Sequence, residues 1–313
     1  MTLTAEQMAV RRTGIGSSDI PAIIGVSPFR TVVDVWMDKM GMAEPQPETA
    51  AMKAGNRLER VIGEWCAEEI DASVSPGMTV RGAEYEWAVA TPDFIVLSKP
   101  GHIIECKNVG VAQARGWRDG PPEYVLTQVF WQMWVTGAQV CHVAALFGGR
   151  DFRRFEVERD DSIIRSLVGA GRTFWEEHVL QRTPPPLDAS EASARLVARL
   201  FPTHSDEFIP ATEQDELLAE SLRNLRIAMK GAEEEARAIE NQIKARIGDR
   251  AGVAGAFGRI TWKKSESGGV DYKTAAQELA RRLAMTPEDE REFLRTHGRP
   301  GSRRFVCTFR EED

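Results

Sequence analysis

The stretch from Thr91 to Asn108, TPDFIVLSKPGHIIECKN, constrains the fold of this 313-residue chain more than any other. Two short apolar runs flank a Lys-Pro-Gly turn, a pattern that predicts a β-hairpin. Side chains alternate between the two faces of a strand, so Glu105 and Lys107 point to one face. Asp93 stands at the start of the partner strand, where its carboxylate converges on Glu105.

The two facing carboxylates indicate a bound divalent cation. Asp93 and Glu105 repel each other when both are ionised, and a cation between them is the usual way to keep both charges. Hard oxygen ligands of this kind favour Mg²⁺ or Mn²⁺ over zinc. On these residues alone, a surface hairpin with a salt bridge is an open alternative.

The composition predicts a soluble, cytoplasmic protein with a buried core. Hydrophobic residues make up 42% of the chain and charged residues 28%. No apolar run approaches the roughly 18 residues needed to span a bilayer, and the N-terminus lacks the apolar core of a signal peptide. The net charge of −7 does not favour nucleic-acid binding by the whole molecule, although a nuclease site concentrates acids and contacts phosphate through local basic patches.

The cysteines argue against two classes of metal site. Cys66, Cys106, Cys141 and Cys307 are far apart and form no Cys-x-x-Cys pair. We therefore expect neither a zinc site nor an iron–sulfur cluster, and we expect reduced, buried thiols.

Three helical segments carry further polar candidates. Ser17-Ser18-Asp19 forms an N-cap cluster just after Arg12, and together they offer amides, a hydroxyl and a guanidinium, the parts of a phosphate site. Ordinary capping beside a surface arginine is the alternative. Glu59 flanks the apolar stripe of an amphipathic helix from Met52 to Ile70, either as a salt-bridge partner or as a ligand that reaches into a polar site.

The third segment, from Tyr124 to Gly137, is a strongly apolar helix that carries two glutamines. Gln128 and Gln132 lie one turn apart and need hydrogen-bond partners if they are buried. A backbone cap would satisfy them. Alternatively, a helix laid over a carboxylate site would place Gln128 on a water of the metal or on the substrate.

Taken in order, these motifs resemble the YqaJ viral recombinase family, which includes lambda exonuclease and belongs to the PD-(D/E)xK nuclease superfamily. The matching motifs are Arg-x-Gly-Ile-Gly-Ser-Ser-Asp at 12–19, Gly-x-x-x-Glu at 55–59, Pro-Asp at 92–93, Glu-x-Lys at 105–107 and the segment 124–160. The resemblance implies an α/β protein with a restriction-endonuclease-like core, a mixed central sheet flanked by helices, followed by a C-terminal helical arm and a small α+β tail.

The resemblance also implies a function. The expected activity is Mg²⁺-dependent hydrolysis of phosphodiester bonds in one strand of linear duplex DNA, from 5′ to 3′, in phage-type recombination by strand annealing, with Mn²⁺ able to substitute. An endonuclease of the same fold and a non-catalytic DNA-binding scaffold are the alternatives.

Carried onto this sequence, the resemblance assigns a metal site and a lysine. Asp93 and Glu105 would be metal ligands, and Glu59 would bind the metal directly or through water. The backbone carbonyl of Ile104 or its neighbour would add an oxygen. Lys107 would position or deprotonate the attacking water, and the nearby cation would push its pKa down.

Two further assignments concern the DNA. Arg12 and Ser18 would match the family's 5′-phosphate pocket, and Gln128 would match the helical glutamine of its core motif. The implied partners are double-stranded DNA ends, a single-strand annealing recombinase and further copies of this chain, closed into a ring. No membrane is expected among the partners, and the protein would act in a bacterial cytoplasm, encoded by the host or by a phage.

The chain divides into four predicted regions. These are a PD-(D/E)xK nuclease domain (1–183), a Pro-rich linker (184–210), a charged helical segment (211–250) and a small α+β module (251–313). The charged segment is expected to form a helical hairpin, a coiled-coil-like arm or a helix packed on its own domain.

Overall fold

The structure of the protein is a computed structural model that describes residues 13–43 and 47–263, with short pieces between residues 278 and 292. It divides into two compact units, the first ending at Phe201 and the second beginning at Pro202. None of the helices in the described ranges is long and apolar enough to cross a membrane.

Helices and strands are mixed along the first unit, and one long helix dominates the second. In chain order the elements are β1 (Ile15–Gly16), α1 (Ile20–Ile23), α2 (Val32–Lys39), α3 (Ala50–Glu69), β2 (Val74–Pro76), β3 (Val80–Arg81), β4 (Ala88–Ala90), β5 (Phe94–Val96), β6 (His102–Val109), a 3₁₀-helix (Ala114–Trp117), α4 (Glu123–Thr136), β7 (Val140–Phe147), β8 (Asp151–Glu158), α5 (Asp161–Thr173), a π-helix (Phe174–Leu180), α6 (Glu191–Leu200), α7 (Glu213–Ile247), β9 (Gly252–Gly255) and β10 (Gly258–Thr261).

A five-stranded mixed sheet forms the centre of the first unit, in the order β2-β5-β6-β7-β8. Strands β6 and β7 are parallel, and every other neighbouring pair is antiparallel. The predicted hairpin is the β5–β6 pair, with Phe94 opposite Ile104 and a turn that ends at Gly101, whose φ of 81° suits glycine. The expected mixed central sheet is thus confirmed.

Helices cover both faces of this sheet. On one face, Ile62 and Cys66 of α3 pack against Ile104 of β6 and Ala144 of β7. On the other face, α4 packs through its apolar side chains against alternate residues of β6 and β7, among them Ile103. Residues 105 and 107 share the face of Ile103, so their side chains point towards α4.

A second, three-stranded sheet fixes the start of the described chain. Strand β1 pairs in parallel with β4, and β3 pairs with the other edge of β4. Ile15 is fully buried, and the indole Nε1 of Trp131 in α4 donates to the carbonyl oxygen of Val89 at 3.1 Å. These contacts hold the Gly-Ser-Ser turn at 16–18 beside α4.

Helix α3 comes close to β5 at Gly63, where an added Cβ would lie 2.1 Å from Cε2 of Phe94. We expect Gly63→Ala to lower the free energy of unfolding by about 1–3 kcal/mol, because the helix must move away from the sheet. Gly55→Ala in the same helix is the matched control, since nothing lies within 4 Å of its added Cβ. The free energy of unfolding of the Gly55→Ala control should rise by up to about 1 kcal/mol, because alanine favours the helix more than glycine does. Equal effects of the two substitutions in urea denaturation would contradict the close approach.

A histidine pair lies on the α3 face of the sheet. The Arg154 guanidinium donates to Nδ1 of His142 at 3.1 Å, and Nε2 of His142 lies 3.1 Å from Nδ1 of His102. Because arginine has only donors, Nδ1 of His142 must accept, and its Nε2–H donates to His102. Burial, assisted by the charge of Arg154, lowers the pKa of His142 to about 4.

This histidine should make the protein sensitive to mild acid. As pH falls from 6.5 to about 4, His142 takes up a proton in the unfolded chain before it does so in the folded one. The free energy of unfolding should therefore decrease across that window, by up to about 3 kcal/mol. Denaturation at several pH values would show this slope in the wild type and a smaller slope in His142→Gln, in which the amide oxygen can still accept from Arg154. Identical slopes would assign the acid sensitivity to other groups.

Residues 184–210 are not simply a linker, and this part of the predicted domain division is wrong. Helix α6 lies inside that range, begins at an N-cap, Ser190, and buries Ala192 and Leu196. Arg195 donates to Asp34 of α2 at 2.9 Å. The first unit therefore continues past the prolines at 184–186, because an amphipathic helix follows them and packs back onto it.

Within residues 211–250 the structure has one continuous helix, where a hairpin, an arm or a packed helix was expected. Helix α7 runs unbroken for 35 residues, and a capping box between Thr212 and Asp215 starts it. Strands β9 and β10 form a short antiparallel hairpin after it. Most of the predicted α+β module at 251–313 lies outside the described residues.

Candidate active site

Strand β6 places Glu105 and Lys107 at the centre of the polar site. Glu105 is only 3% exposed, although it carries a carboxylate. The ammonium nitrogen of Lys107 lies 2.5 Å from Oε1 of Glu105, so the two side chains point to the same face, as the strand alternation predicts. The buried carboxylate of Glu105 is therefore paired with the ammonium group of Lys107.

Helix α4 completes the partners of Glu105. Nε2 of Gln128 donates to Oε1 of Glu105 at 2.7 Å, and Nε2 of Gln132 donates to Oε2 at 2.7 Å. Oε1 of Gln128 accepts from Nζ of Lys107 at 3.0 Å. Three donors thus hold the carboxylate in one orientation, and Gln128 links it to the lysine.

Asp93 lies beside this group, where the charges of Glu105 and Lys107 act on its carboxylate. Its Oδ2 accepts from the backbone N–H of Cys106 at 2.7 Å. Burial and then the negative charge of Glu105 raise the pKa of Asp93 well above its usual value, and Lys107 opposes this rise. Glu59 raises it a little further. The structure therefore brings Asp93, Glu105 and Glu59 close enough for their charges to repel.

The pKa of Lys107 is raised in this environment. Burial alone lowers it, but the charges of Glu105 and Asp93 and the hydrogen bond to Glu105 outweigh burial. This environment therefore favours the charged form of Lys107. The sequence-based expectation of a lowered pKa applied to a site with a bound metal and stays a prediction.

A cavity of about 240 Å³ opens next to these residues. Four of the predicted site residues line it: Ser18, Glu59, Asp93 and Gln128. Gln128 connects the cavity to Glu105 and Lys107 through the hydrogen bonds described above. Six of the seven predicted side chains are thus gathered at one place. The seventh, Arg12, lies outside the described residues.

The donor set fits a hard divalent cation with few protein ligands. No group of three or more His, Cys, Asp and Glu side chains in the described ranges is arranged to hold a metal by itself. Mg²⁺ commonly binds through one or two carboxylates and keeps several waters, so Asp93 and Glu105 are sufficient donors. The repulsion between these carboxylates would be relieved by a cation. The predicted ligand roles of Glu59 and of the Ile104 carbonyl stay predictions.

Gln132 is a site residue that the sequence did not assign. It is fully buried, and its Nε2 reaches Ser17 Oγ at 3.5 Å as well as Glu105. Its Oε1 has no hydrogen-bond partner among the described residues. Its spacing from Gln128 was the available signal, but the glutamine periodicity alone did not show that both amides meet one carboxylate.

Asp19 is a second residue whose role was missed, because an aspartate at a helix start is read as a cap. Its side chain makes no cap hydrogen bond to α1. Instead, Oδ2 accepts from Gly16 N at 3.0 Å and from Lys39 Nζ at 2.7 Å, and Oδ1 accepts from Arg30 at 2.9 Å. Asp19 therefore fixes the turn that carries Ser17 and Ser18.

Comparisons with known proteins agree with this geometry. The model of the YqaJ-like viral recombinase domain matches residues 6–139. The uncharacterized protein YqaJ of Bacillus subtilis (strain 168) is 29% identical over 277 residues, which cover 86% of this chain and 86% of that protein. The crystal structure of an alkaline exonuclease from Laribacter hongkongensis superposes with a TM-score of 0.51 and 20% identity, over 63% of this chain and 100% of the other.

The last comparison shows a shared fold, and the first two match the family that the motifs resemble. The predicted resemblance to this family and the predicted fold class are both confirmed. The chain therefore carries a YqaJ-like viral recombinase domain over residues 6–139.

Proposed function

We propose that the protein is a Mg²⁺-dependent deoxyribonuclease that digests one strand of linear duplex DNA from 5′ to 3′. The main support for this proposal is the group formed by Asp93, Glu105 and Lys107. Gln128 lines the cavity and forms hydrogen bonds with Glu105 and Lys107 of this group. This is the donor set that phosphodiester hydrolysis needs: carboxylates for a hard cation, and a cation from the protein beside them. The fold shared with an alkaline exonuclease supports the proposal.

A phosphodiester resists hydrolysis because its negative charge repels hydroxide. When bound, Mg²⁺ would neutralise the phosphate oxygens, lower the pKa of water and offset the carboxylate charge that keeps Lys107 protonated. Lys107 would hold the attacking water and take its proton at Nζ. Gln128 would keep the lysine beside Glu105, through the amide that contacts both.

The cavity favours an enzyme that starts at a DNA end. Gly16, Ser17 and Ser18 line it together with Asp93. A terminal phosphate held by the Ser18 hydroxyl would place the first phosphodiester near the carboxylates. Arg12 would supply the charge for this pocket. Mn²⁺ would substitute for Mg²⁺, because it accepts the same oxygen ligands.

The remaining proposals concern partners. A strand-digesting enzyme exposes a 3′ single strand, which is the substrate of a single-strand annealing recombinase, and such a protein is the proposed partner in the bacterial cytoplasm. Assembly of several copies into a ring around DNA would keep the enzyme on its substrate. An endonuclease of the same fold is the second candidate, since the carboxylate and lysine group would serve either enzyme.

Digestion of matched DNA substrates tests the proposal. Linear duplexes labelled at the 5′ or the 3′ end and a covalently closed circle of the same sequence are incubated with Mg²⁺ or with EDTA. We expect early release of the 5′ label, late release of the 3′ label, an intact circle and no reaction in EDTA. Cutting of the circle would establish an endonuclease instead, and metal-independent binding without cleavage would leave a DNA-binding scaffold.

A further inference from the structure

Helix α7 carries an apolar stripe with the spacing of a coiled coil. Its apolar residues alternate at intervals of three and four, a 3.5-residue period sustained over nearly four heptads. We define the α7 seam as the eight positions Leu218, Leu222, Leu225, Met229, Ala232, Ala236, Ile239 and Ile243. Every seam position is apolar, whereas the positions around it are mostly charged or polar.

Most of the seam is exposed in the part of the chain that the structure describes. Leu225 is 63% exposed and Met229 62% exposed, and Leu218 and Ile239 are at least half exposed. The helix also contains Gly231 near its middle, and a glycine there makes helix formation less favourable than alanine would, by about 1 kcal/mol. Long helices in proteins owe most of their stability to packing of an apolar face. We therefore expect a partner to cover the exposed seam and stabilise the helix along its length.

We propose that α7 pairs with α7 of a second copy of this chain as an antiparallel coiled coil. The sizes of the seam residues favour this orientation. With the axis midway between residues 230 and 231, Met229 faces the partner's Ala232 and Leu225 faces the partner's Ala236. Each large side chain then meets a small one, which fills space evenly.

The outer layers fit the same register. Leu222 faces the partner's Ile239, and Leu218 faces the partner's Ile243, so all eight seam positions pair across the axis. In a parallel pair, Ala232 and Ala236 would instead face their own copies and leave a gap at the centre of the seam.

The charges beside the seam also select the antiparallel orientation. In this register Arg226 lies next to the partner's Glu233, and symmetry creates this pair twice. Glu235 and Glu240 face the partner's Ala228 and Ala219, so no like charges meet. In a parallel pair, Glu235 would lie next to the partner's Glu240, and that repulsion would also occur twice.

The first test compares two substitutions in the full-length protein. Leu225→Glu places a carboxylate in the seam, whereas Ile227→Glu makes the same kind of change off the seam at a residue with 62% exposure. Sedimentation equilibrium should show association at least about 100-fold weaker for Leu225→Glu and nearly unchanged for Ile227→Glu. Circular dichroism of both variants monitors the fold. An unchanged molecular mass of the Leu225→Glu assembly would overturn the proposal, since assembly through other surfaces alone, or a different protein bound to α7, predicts that result.

The second test separates the two orientations by charge reversal. Arg226→Glu and Glu233→Arg should each weaken association by roughly tenfold, and the combined variant should restore it, because the reversed pairs attract again. In a parallel coil Arg226 faces the partner's Ser221, so the combination would restore nothing. Failure of the restoration would exclude the antiparallel register. Neither test depends on nuclease activity, so the outcome is separate from that of the proposed function.

Discussion

Glu105→Gln is expected to lower the rate of DNA hydrolysis by at least about 10³-fold while the protein stays folded. The substitution preserves the shape of the side chain and removes its charge. It takes away half of the carboxylate pair that would bind Mg²⁺ and the main charge that faces Lys107. Because Glu105 accepts from three donors, the new amide must turn its NH₂ group towards one of them. Gln132 can reverse its own amide, since its Oε1 has no partner among the described residues.

Two readouts check this prediction. Single-turnover digestion of a 5′-phosphorylated duplex measures the rate, and calorimetric titration with Mn²⁺ measures metal binding without DNA. The matched control is Glu156→Gln, at a residue of β8 whose side chain is 51% exposed and contacts Arg154 on the α3 face. The control should keep the rate and the Mn²⁺ affinity. Full Mn²⁺ binding by Glu105→Gln would remove Glu105 from the proposed ligands, and an unchanged rate would remove it from the reaction.

The geometry of the hairpin could be predicted because it follows from local rules. A Lys-Pro-Gly turn joins two strands, and a period of two residues puts 105 and 107 on one face. The same local rules place Gln128 and Gln132 on one side of α4. Whether that side meets the hairpin depends on how α4 packs on the sheet, and this is a tertiary property. The contact of both amides with Glu105 was therefore visible only in the structure.

Asp19 shows the opposite case, in which a local rule gave the wrong role. Serine and aspartate before a short helix are typical of a cap, so the sequence favours that interpretation. The carboxylate turns instead to Arg30 and Lys39, which lie 11 and 20 residues further along the chain. No periodicity links these three residues. The prediction of a linker at 184–210 was wrong for a similar reason. The contact that ties this segment to the first unit joins Arg195 to Asp34, which are 161 residues apart in the sequence, so no local pattern indicates it.

The second prediction with a large effect follows from this ion network. Asp19→Ala is expected to lower the free energy of unfolding by about 3–5 kcal/mol, because it leaves the buried ammonium of Lys39 without its closest carboxylate. The side chain of Lys39 is 1% exposed and that of Asp19 is 2% exposed, so water cannot replace the lost contact without rearrangement. Urea denaturation of Asp19→Ala measures the loss. Arg195→Ala is a useful comparison, because it breaks the more exposed pair with Asp34 and leaves the Asp34 carboxylate in its capping box with Thr31; that substitution should lower the free energy of unfolding by about 1 kcal/mol or less.

Replacing both charges distinguishes the loss of the buried ion pair from a simple loss of packing. The double variant Asp19→Leu with Lys39→Met removes the buried carboxylate and the buried ammonium together, so it should recover most of the stability lost in Asp19→Ala. Arg30 keeps about a third of its side chain exposed and can return to water. The double variant also loses the hydrogen bond from Gly16 N, which holds the turn at Ser17 and Ser18. We therefore expect a stable protein with weaker binding of 5′-phosphorylated DNA ends. A double variant as unstable as Asp19→Ala would mean that packing around Asp19, and not the lost ion pair between Asp19 and Lys39, determines the loss.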